Sequence, residues 1–179
     1  RVRAANGLGN SPFSEAVSGA QHSRRWLVSF TAAIPRSPAL GPDGFLRVVL
    51  DRRTNGLVAL NLDGTTRWEA PVGFPFTTPL VGLDGTTYVA TRFGLVVAVD
   101  TAGALKWQTP VATPPFGRIA SRGELALTGD GAVLVCTEDG RLHALGGDGP
   151  IVWSTSAWCS EWSAPVVAND GAILVNENF

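Results

Sequence analysis

The chain has 179 residues, of which 45% are apolar and only 16% are charged, and its formal net charge is −1. This composition, with its 21 glycines and 12 prolines, is typical of short strands joined by tight turns. It excludes a disordered chain, which needs low hydrophobicity and high net charge. The small net charge predicts no nucleic-acid partner, and no apolar run approaches the roughly 18 residues of a membrane span.

The first 19 residues, "RVRAANGLGNSPFSEAVSG", have a pattern of their own. A Val-x-Ala-x-Asn strand leads through a glycine-rich loop to a strand that contains proline and serine. This pattern resembles the last hairpin of a fibronectin type III domain, and the matching positions are Val2, Ala4, Asn6, Gly7, Gly9, Ser11, Ser14 and Val17. The resemblance implies that residues 1–19 are the C-terminal remnant of such a domain, followed by a linker at 20–23.

From residue 24 to residue 179 the sequence repeats itself with a period of about 40 residues, which indicates a repeat architecture. Three segments align without gaps: "ALNLDGTTRW" from Ala59, "AVDTAGALKW" from Ala98 and "ALGGDGPIVW" from Ala144. Trp26 lies one period before the first of their tryptophans. A second set of segments keeps the same rhythm: "SPALGPDG" from Ser37, "TPLVGLDG" from Thr78, "GELALTGDG" from Gly123 and "SAPVVANDG" from Ser163.

Each repeat predicts four short strands. In the clearest one, β-branched and apolar runs are separated by turns at Asp84-Gly85, Phe93-Gly94 and Ala102-Gly103. Asp-Gly pairs favour hairpin turns because both residues tolerate positive φ, and no D-x-D-x-D-G run indicates a calcium loop instead. Antiparallel four-stranded units in series are the blades of a β-propeller.

The predicted fold is therefore all-β, a partial β-propeller that forms an arc of a larger ring. The predicted parts are a leading strand around Trp26, complete blades at about 35–72, 77–112 and 117–156, and a partial blade at 163–179. The pentapeptide "LDGTT" occurs in Leu62–Thr66 and again in Leu83–Thr87. The first copy is predicted to join the third and fourth strands of one blade, and the second copy to join the first and second strands of the next.

The repeats resemble the tryptophan-docking blades of the pyrroloquinoline-quinone-like propeller superfamily. The motif runs Ala-x-Asp, a turn with glycine, and a closing tryptophan, and Ala98, Asp100, Gly103 and Trp107 match it best. The resemblance implies that the tryptophans pack between neighbouring blades as structural docking residues, namely Trp26, Trp68, Trp107 and Trp153.

Residues that break the repeat are freer to carry function. Turns between second and third strands, and connections between blades, face one rim of a propeller, and such loops carry binding sites. The candidate binding residues on this rim are Arg52, Arg53, Arg92, Arg118, Trp158 and Glu161. Clustered arginines are suited to a carboxylate, a phosphate or an acidic strand; the alternative is scattered, solvated surface charge.

The remaining chemistry-bearing residues give no catalytic or metal site. His143 lies on a third strand and is interpreted as half-buried packing, because no serine or cysteine is placed near it in sequence as a partner. Cys136 is interpreted as a small buried hydrophobe and Cys159 as a more exposed thiol. Two cysteines leave the redox compartment open.

Two function classes fit these patterns. The first is a non-enzymatic β-propeller that acts as a binding or scaffold module of a larger extracellular or envelope protein. The alternative is a fragment of a quinoprotein dehydrogenase, whose adjacent cysteine pair and calcium ligands are not evident in this sequence. We predict the first class, with no cofactor. Its expected partners are a protein, or an acidic or glycan ligand, on the rim, together with the rest of its own ring.

Overall fold

The computed structural model describes residues 5–6, 9–10, 27–32, 36–112, 124–157, 159 and 164–176. All regular elements in these ranges are strands. The first pair is β1 (Ala5–Asn6) and β2 (Gly9–Asn10). The first blade contains β3 (Ala39–Leu40), β4 (Leu46–Val49), β5 (Leu57–Leu60) and β6 (Thr66–Ala70). The second contains β7 (Leu80–Val81), β8 (Thr87–Ala90), β9 (Leu95–Val99) and β10 (Leu105–Pro110). The third contains β11 (Ala126–Leu127), β12 (Val133–Thr137), β13 (Arg141–Leu145) and β14 (Ile151–Ser156), and β15 (Val166–Val167) and β16 (Ile173–Leu174) follow.

The three blades share one topology. Each is a four-stranded antiparallel sheet in which consecutive strands are neighbours, and β15 and β16 form a further two-stranded sheet. In all three blades the register shifts once between the third and fourth strands, close to the turn that joins them. The predicted all-β fold, a partial propeller with three complete blades and one partial blade, is confirmed. No helix in the described ranges is long and apolar enough to cross a membrane.

The N-terminal predictions have a different status. β1 and β2 pair as a short hairpin, with Ala5 opposite Asn10. Its assignment to a fibronectin type III domain, and the division of the chain at residues 19 and 23, stay predictions. The leading strand was predicted around Trp26, which lies outside the described residues, and residues 27–32 are described and contain no strand.

The core lies between the blades rather than within one of them. Residues of the second and third strands are buried on both faces, because each blade is covered by its neighbours. One apolar cluster joins the first and second blades and includes Val49, Leu57, Val89 and Val97. Equivalent clusters join the second blade to the third and the third to β15 and β16. Burial at these faces is the main stabilising term.

The two copies of LDGTT form the same kind of turn in the two places that the sequence predicts. Asp63 and Asp84 each accept a hydrogen bond from the backbone N–H two residues later, both at 2.9 Å. Gly85 has φ +81°, a conformation that glycine adopts without strain. Hydrogen bonds from Thr65 and from Thr86 lower the pKa of these two carboxyl groups. The aspartates therefore act as turn residues.

The tryptophans of the first two blades each lie on the next blade. The indole Nε1 of Trp68 donates to the carbonyl of Thr101 at 2.9 Å, and that of Trp107 donates to Gly147 at 2.8 Å. A Cβ on Gly103 would lie 2.8 Å from the Trp68 ring. Each tryptophan thus covers the third-to-fourth-strand turn of the following blade. Trp153 is 39% exposed, since the described residues include no such turn after it.

Candidate binding site on the upper rim

The propeller arc has two rims. The upper rim is defined here as the edge that carries the second-to-third-strand turns and the connections between blades. The lower rim carries the other turns. The structure places Arg52 and Arg53 in the loop between β4 and β5, and Arg92 in the turn between β8 and β9. The other three predicted rim residues, Arg118, Trp158 and Glu161, lie outside the described residues.

Two of the three described arginines are neutralised by nearby carboxylates. Arg52 donates to the carbonyl of Asn55 at 2.7 Å and forms an ion pair with Glu69 at 2.8 Å. Arg92 forms an ion pair with Asp51 at 3.1 Å. The first pair joins the loop to β6 of the same blade and the second joins the second blade to the first, so both brace the rim and leave little net charge for a ligand.

Arg53 differs from both. It is exposed, and no carboxylate in the described part of the chain lies within ion-pair distance of it. Its loop is also longer than its equivalents. The pair Val49–Leu57 encloses seven residues, whereas Ala90–Val96 and Cys136–Leu142 each enclose five. The two additional residues bring a cation to the wall of a cleft.

This cleft lies between the first and second blades and has a volume of about 350 Å³. Its apolar surface extends from the core to solvent, because Val72 and Val97 are buried while Phe93 is 66% exposed. Arg53 is the single charged residue among those that line it, which are Arg53, Pro71, Val72, Gly73, Phe74, Thr91, Phe93, Leu95, Val97 and Gln108.

The wall formed by the blade connection is fixed by main-chain hydrogen bonds to both blades. Phe74 donates to the carbonyl of Arg52 at 2.7 Å and accepts from the N–H of Arg92 at 3.1 Å. Phe74 has φ +48°, a conformation that bulky residues rarely adopt and that costs of order 1–3 kcal/mol. Its ring meets Phe93 edge to face, with centroids 5.7 Å apart. The aromatic wall is therefore held in place before any ligand arrives.

The next inter-blade position along the repeat has different chemistry. The register of strands β12 to β14 aligns each apolar lining residue of the second blade with a polar one of the third. Phe93, Leu95 and Val97 correspond to Asp139, Arg141 and His143, while the polar Thr91 and Gln108 correspond to the polar Thr137 and Ser154. The apolar cleft is therefore a property of these particular residues and not of propeller geometry in general.

His143 is buried and has a partner that sequence reasoning missed. Its Nδ1 lies 2.7 Å from the Ser154 hydroxyl and its Nε2 lies 3.2 Å from the Thr137 hydroxyl. Ser154 is 11 residues away in sequence, but strand register places it directly opposite His143. Burial lowers the pKa of His143, the nearby Asp139 raises it and Arg141 lowers it further. The interpretation as packing fits this neutral, hydrogen-bonded ring.

His143 should make stability depend on pH. In the unfolded chain a histidine titrates near pH 6.5, and the folded pKa is lower. As pH falls through 6.5, the unfolded chain takes up a proton that the folded chain does not. The free energy of unfolding therefore falls until pH reaches the folded pKa.

Urea denaturation at pH 7.5 and 5.5 should show this loss, and His143→Gln should reduce it. The matched control is the other histidine, His22→Gln; if only that variant reduced the loss, His143 would not be its source.

The two cysteines form a disulfide, so the expectation of an exposed thiol at Cys159 was wrong, whereas Cys136 is buried in an apolar cluster as expected. Cys136 on β12 is bonded to Cys159 in the connection that follows the third blade, with a Cα–Cα distance of 5.8 Å. No local pattern indicates this pairing, since 23 residues separate the two positions. They meet only after β13 and β14 have folded back along β12.

Sequence reasoning also missed a fully buried arginine. Arg47 on β4 is 0% exposed and binds Asp43 through Nη1 at 2.7 Å and Nη2 at 2.5 Å. Its Nε donates to Thr87 of the second blade at 3.2 Å. The equivalent positions of the next two blades are Tyr88 and Leu134. Arg47 could have been identified from the repeat, because it places a charged residue where the other two blades have Tyr88 and Leu134.

The family model described as "Outer membrane protein assembly factor BamB" matches residues 15–157 and 92–178. The two matches overlap and together extend over most of the sequence. The chain belongs to this family. Membership agrees with the predicted resemblance to pyrroloquinoline-quinone-like repeats, since that family model is one of this repeat class.

Solved structures agree with the BamB-family fold. The crystal structure of BamB from Moraxella catarrhalis is 23% identical, with a TM-score of 0.59, and aligns over 77% of this chain and 42% of that protein. A protein of unknown function from Bacteroides caccae is 17% identical, with a TM-score of 0.56, over 77% of this chain and 51% of that protein. The chain thus spans about half the length of either structure or less. No curated protein matches the sequence.

Proposed function

We propose that this chain is a non-enzymatic propeller module that binds a protein partner through its upper rim, as part of a larger envelope or extracellular protein. The observation that carries the proposal is the cleft between the first two blades. It combines an exposed aromatic ring, a buried apolar base and an arginine without an ion-pair partner among the described residues. Aromatic residues and arginines supply most of the binding energy of protein interfaces.

The rigidity of this surface supports the same function. Both blades hold the connection through main-chain hydrogen bonds, and the ion pairs of Arg52 and Arg92 brace the adjacent loops. A partner would therefore pay little to order the site, which favours affinity. The remaining candidates, Arg118, Trp158 and Glu161, are proposed to extend this surface along the same rim.

Two observations support the envelope or extracellular location. The matching family is described by an outer membrane assembly factor. The chain also carries a disulfide between Cys136 and Cys159, and stable disulfides are typical of oxidising compartments outside the cytosol. Cell fractionation tests this location on the whole protein that contains this chain, called the parent protein below. Recovery of the parent protein from the cytoplasm would contradict this part of the proposal.

The alternative is a fragment of a quinoprotein dehydrogenase. The resemblance to those enzymes implies an adjacent cysteine pair that contacts the quinone. Here the two cysteines are 23 residues apart and are bonded to each other. Dye-linked dehydrogenase activity of the parent protein, measured with added calcium and pyrroloquinoline quinone, would favour this alternative over a binding module.

Site-specific photocrosslinking tests the binding function. A benzoylphenylalanine at position 93 of the parent protein should crosslink to another protein in intact cells, because Phe93 is exposed beside the cleft. The matched control is position 83 on the lower rim, where Leu83 is 98% exposed. We expect a defined adduct from position 93 and none from position 83. Equal labelling from both positions, or none from either, would count against a binding function of the upper rim.

A further inference from the structure

We infer that the cleft between the first two blades binds a peptide segment that carries an aliphatic or aromatic side chain next to an aspartate or glutamate. The inference rests on the proposed binding function and specifies its ligand. The apolar side chain would enter between Val72, Val97 and the Phe74–Phe93 pair. The carboxylate would bind the guanidinium of Arg53.

The size of the cleft limits the size of the ligand group that can enter it. Its volume of about 350 Å³ lies at the lower end of the roughly 300–1,000 Å³ range of small-ligand pockets. This space suits one large side chain with part of its backbone. The lining is largely apolar, so burial of an apolar side chain gives the main attraction, at about 25 cal/mol per Å² of area removed from water.

The charge distribution around the cleft determines which ligand charge is favoured. Arg53 is the single charged residue of the lining. The nearby carboxylates of Asp51 and Glu69 are already paired with Arg92 and Arg52. An acidic group placed beside the apolar side chain would therefore meet a cation that no carboxylate of the described residues neutralises, whereas a basic group would be repelled. Charge-assisted hydrogen bonds from arginine to carboxylate are stronger than neutral ones and are often bidentate.

The equivalent position between the second and third blades shows what this selectivity depends on. There Asp139, Arg141 and His143 stand in place of Phe93, Leu95 and Val97. Asp139 accepts a hydrogen bond from Thr137 at 2.5 Å, and His143 forms a hydrogen bond with Ser154. These polar side chains leave that position without the apolar lining that an aliphatic or aromatic side chain needs, so the apolar part of the ligand is expected to bind in the first cleft.

Peptide selection on the parent protein tests the inference. A phage-displayed library of random nonapeptides should be enriched in sequences with Asp or Glu within two residues of Leu, Ile, Val or Phe. The most enriched peptide, synthesised with a fluorescent label, should lose about tenfold in affinity when Arg53 is changed to Gln. Arg67→Gln is the matched control, because Arg67 is also an exposed arginine but lies over the Phe45 ring and does not line the cleft. It should leave the affinity unchanged.

A second variant tests the apolar half of the site. Phe93→Ser removes an exposed ring, so the variant should still fold. It should also lower the affinity for the same peptide by about tenfold. Selected peptides without an acidic residue, equal sensitivity to Arg53→Gln and Arg67→Gln, or no enrichment at all would overturn the inference. Crosslinking from position 93 does not depend on ligand charge. If it succeeded while the selection failed, the binding function would stand and the ligand assignment would fall.

Discussion

Replacing Trp107 with Ala is expected to lower the free energy of unfolding by about 3 kcal/mol, the lower end of the range for truncating a core aromatic. The value belongs at the lower end because Trp107 is only partly buried. The indole packs on Tyr88, with ring centroids 5.8 Å apart, and donates to the carbonyl of Gly147 at 2.8 Å. It also covers Gly149, whose φ of +107° and lack of Cβ let the turn approach within contact of the ring. The variant loses the packing and leaves this turn uncovered.

Urea denaturation of the protein, followed by far-ultraviolet circular dichroism, measures this loss. Trp107→Phe is the matched control, because it keeps an aromatic ring but removes the Nε1 donor. It should cost less than half as much as the alanine variant, since a neutral hydrogen bond contributes about 1 kcal/mol. A loss below about 1 kcal/mol for Trp107→Ala would mean that this tryptophan does not hold the second and third blades together.

The blade architecture could be read from the sequence because its determinants are local. Each hairpin needs a turn residue with positive φ, such as Gly85 or Gly103, and each docking tryptophan follows such a turn at a fixed spacing. Strand lengths and turns recur with the period, so one well-marked repeat predicts the others. The same locality explains why both LDGTT copies were placed correctly although they join different pairs of strands.

The site was only partly predictable because it depends on contacts between repeats. Sequence position placed Arg52, Arg53 and Arg92 on one rim, but it could not say which of them would be neutralised. The ion-pair partners lie on other elements: Glu69 is on β6 and Asp51 belongs to the preceding blade. One wall of the cleft contains Phe74, whose backbone is left-handed. A phenylalanine rarely adopts this conformation, so it could not be predicted from the local sequence. Two of the three described rim arginines are therefore paired with carboxylates of the chain itself.

The buried arginine was missed for a related reason. Asp43 and Arg47 are four residues apart, and such a pair in sequence looks like ordinary surface charge. Only the blade register reveals that Arg47 points at the next blade, in the row occupied by Tyr88 and Leu134 elsewhere. Cys136 and Cys159 illustrate the same point, since their distance is set by two intervening strands.

The pair of Asp43 and Arg47 gives the second large expected effect. Asp43→Ala should lower the free energy of unfolding by about 3–5 kcal/mol, because it leaves a buried cation without its counter-charge. After the change, the hydrogen-bond acceptors left to Arg47 within the described part of the chain would be the carbonyl of Phe45 and the hydroxyl of Thr87. The hydrogen bond from Arg47 lowers the pKa of Asp43. The stabilisation is therefore complete above the unfolded pKa, near 3.8, and is lost as pH falls through the folded value.

The decisive control removes the charge together with its partner. The third blade has Leu134 at the position of Arg47, so the repeat itself accepts leucine there. The double variant Asp43→Ala/Arg47→Leu should therefore be more stable than Asp43→Ala alone, by about 2 kcal/mol or more, since replacing a buried ion pair with apolar side chains is often neutral. Urea denaturation at pH 7 of the wild type, both single variants and the double variant measures the coupling. If the double variant were as unstable as the sum of the two single changes, the desolvated charge would not be the source of the loss, and Asp43 would act only through its turn.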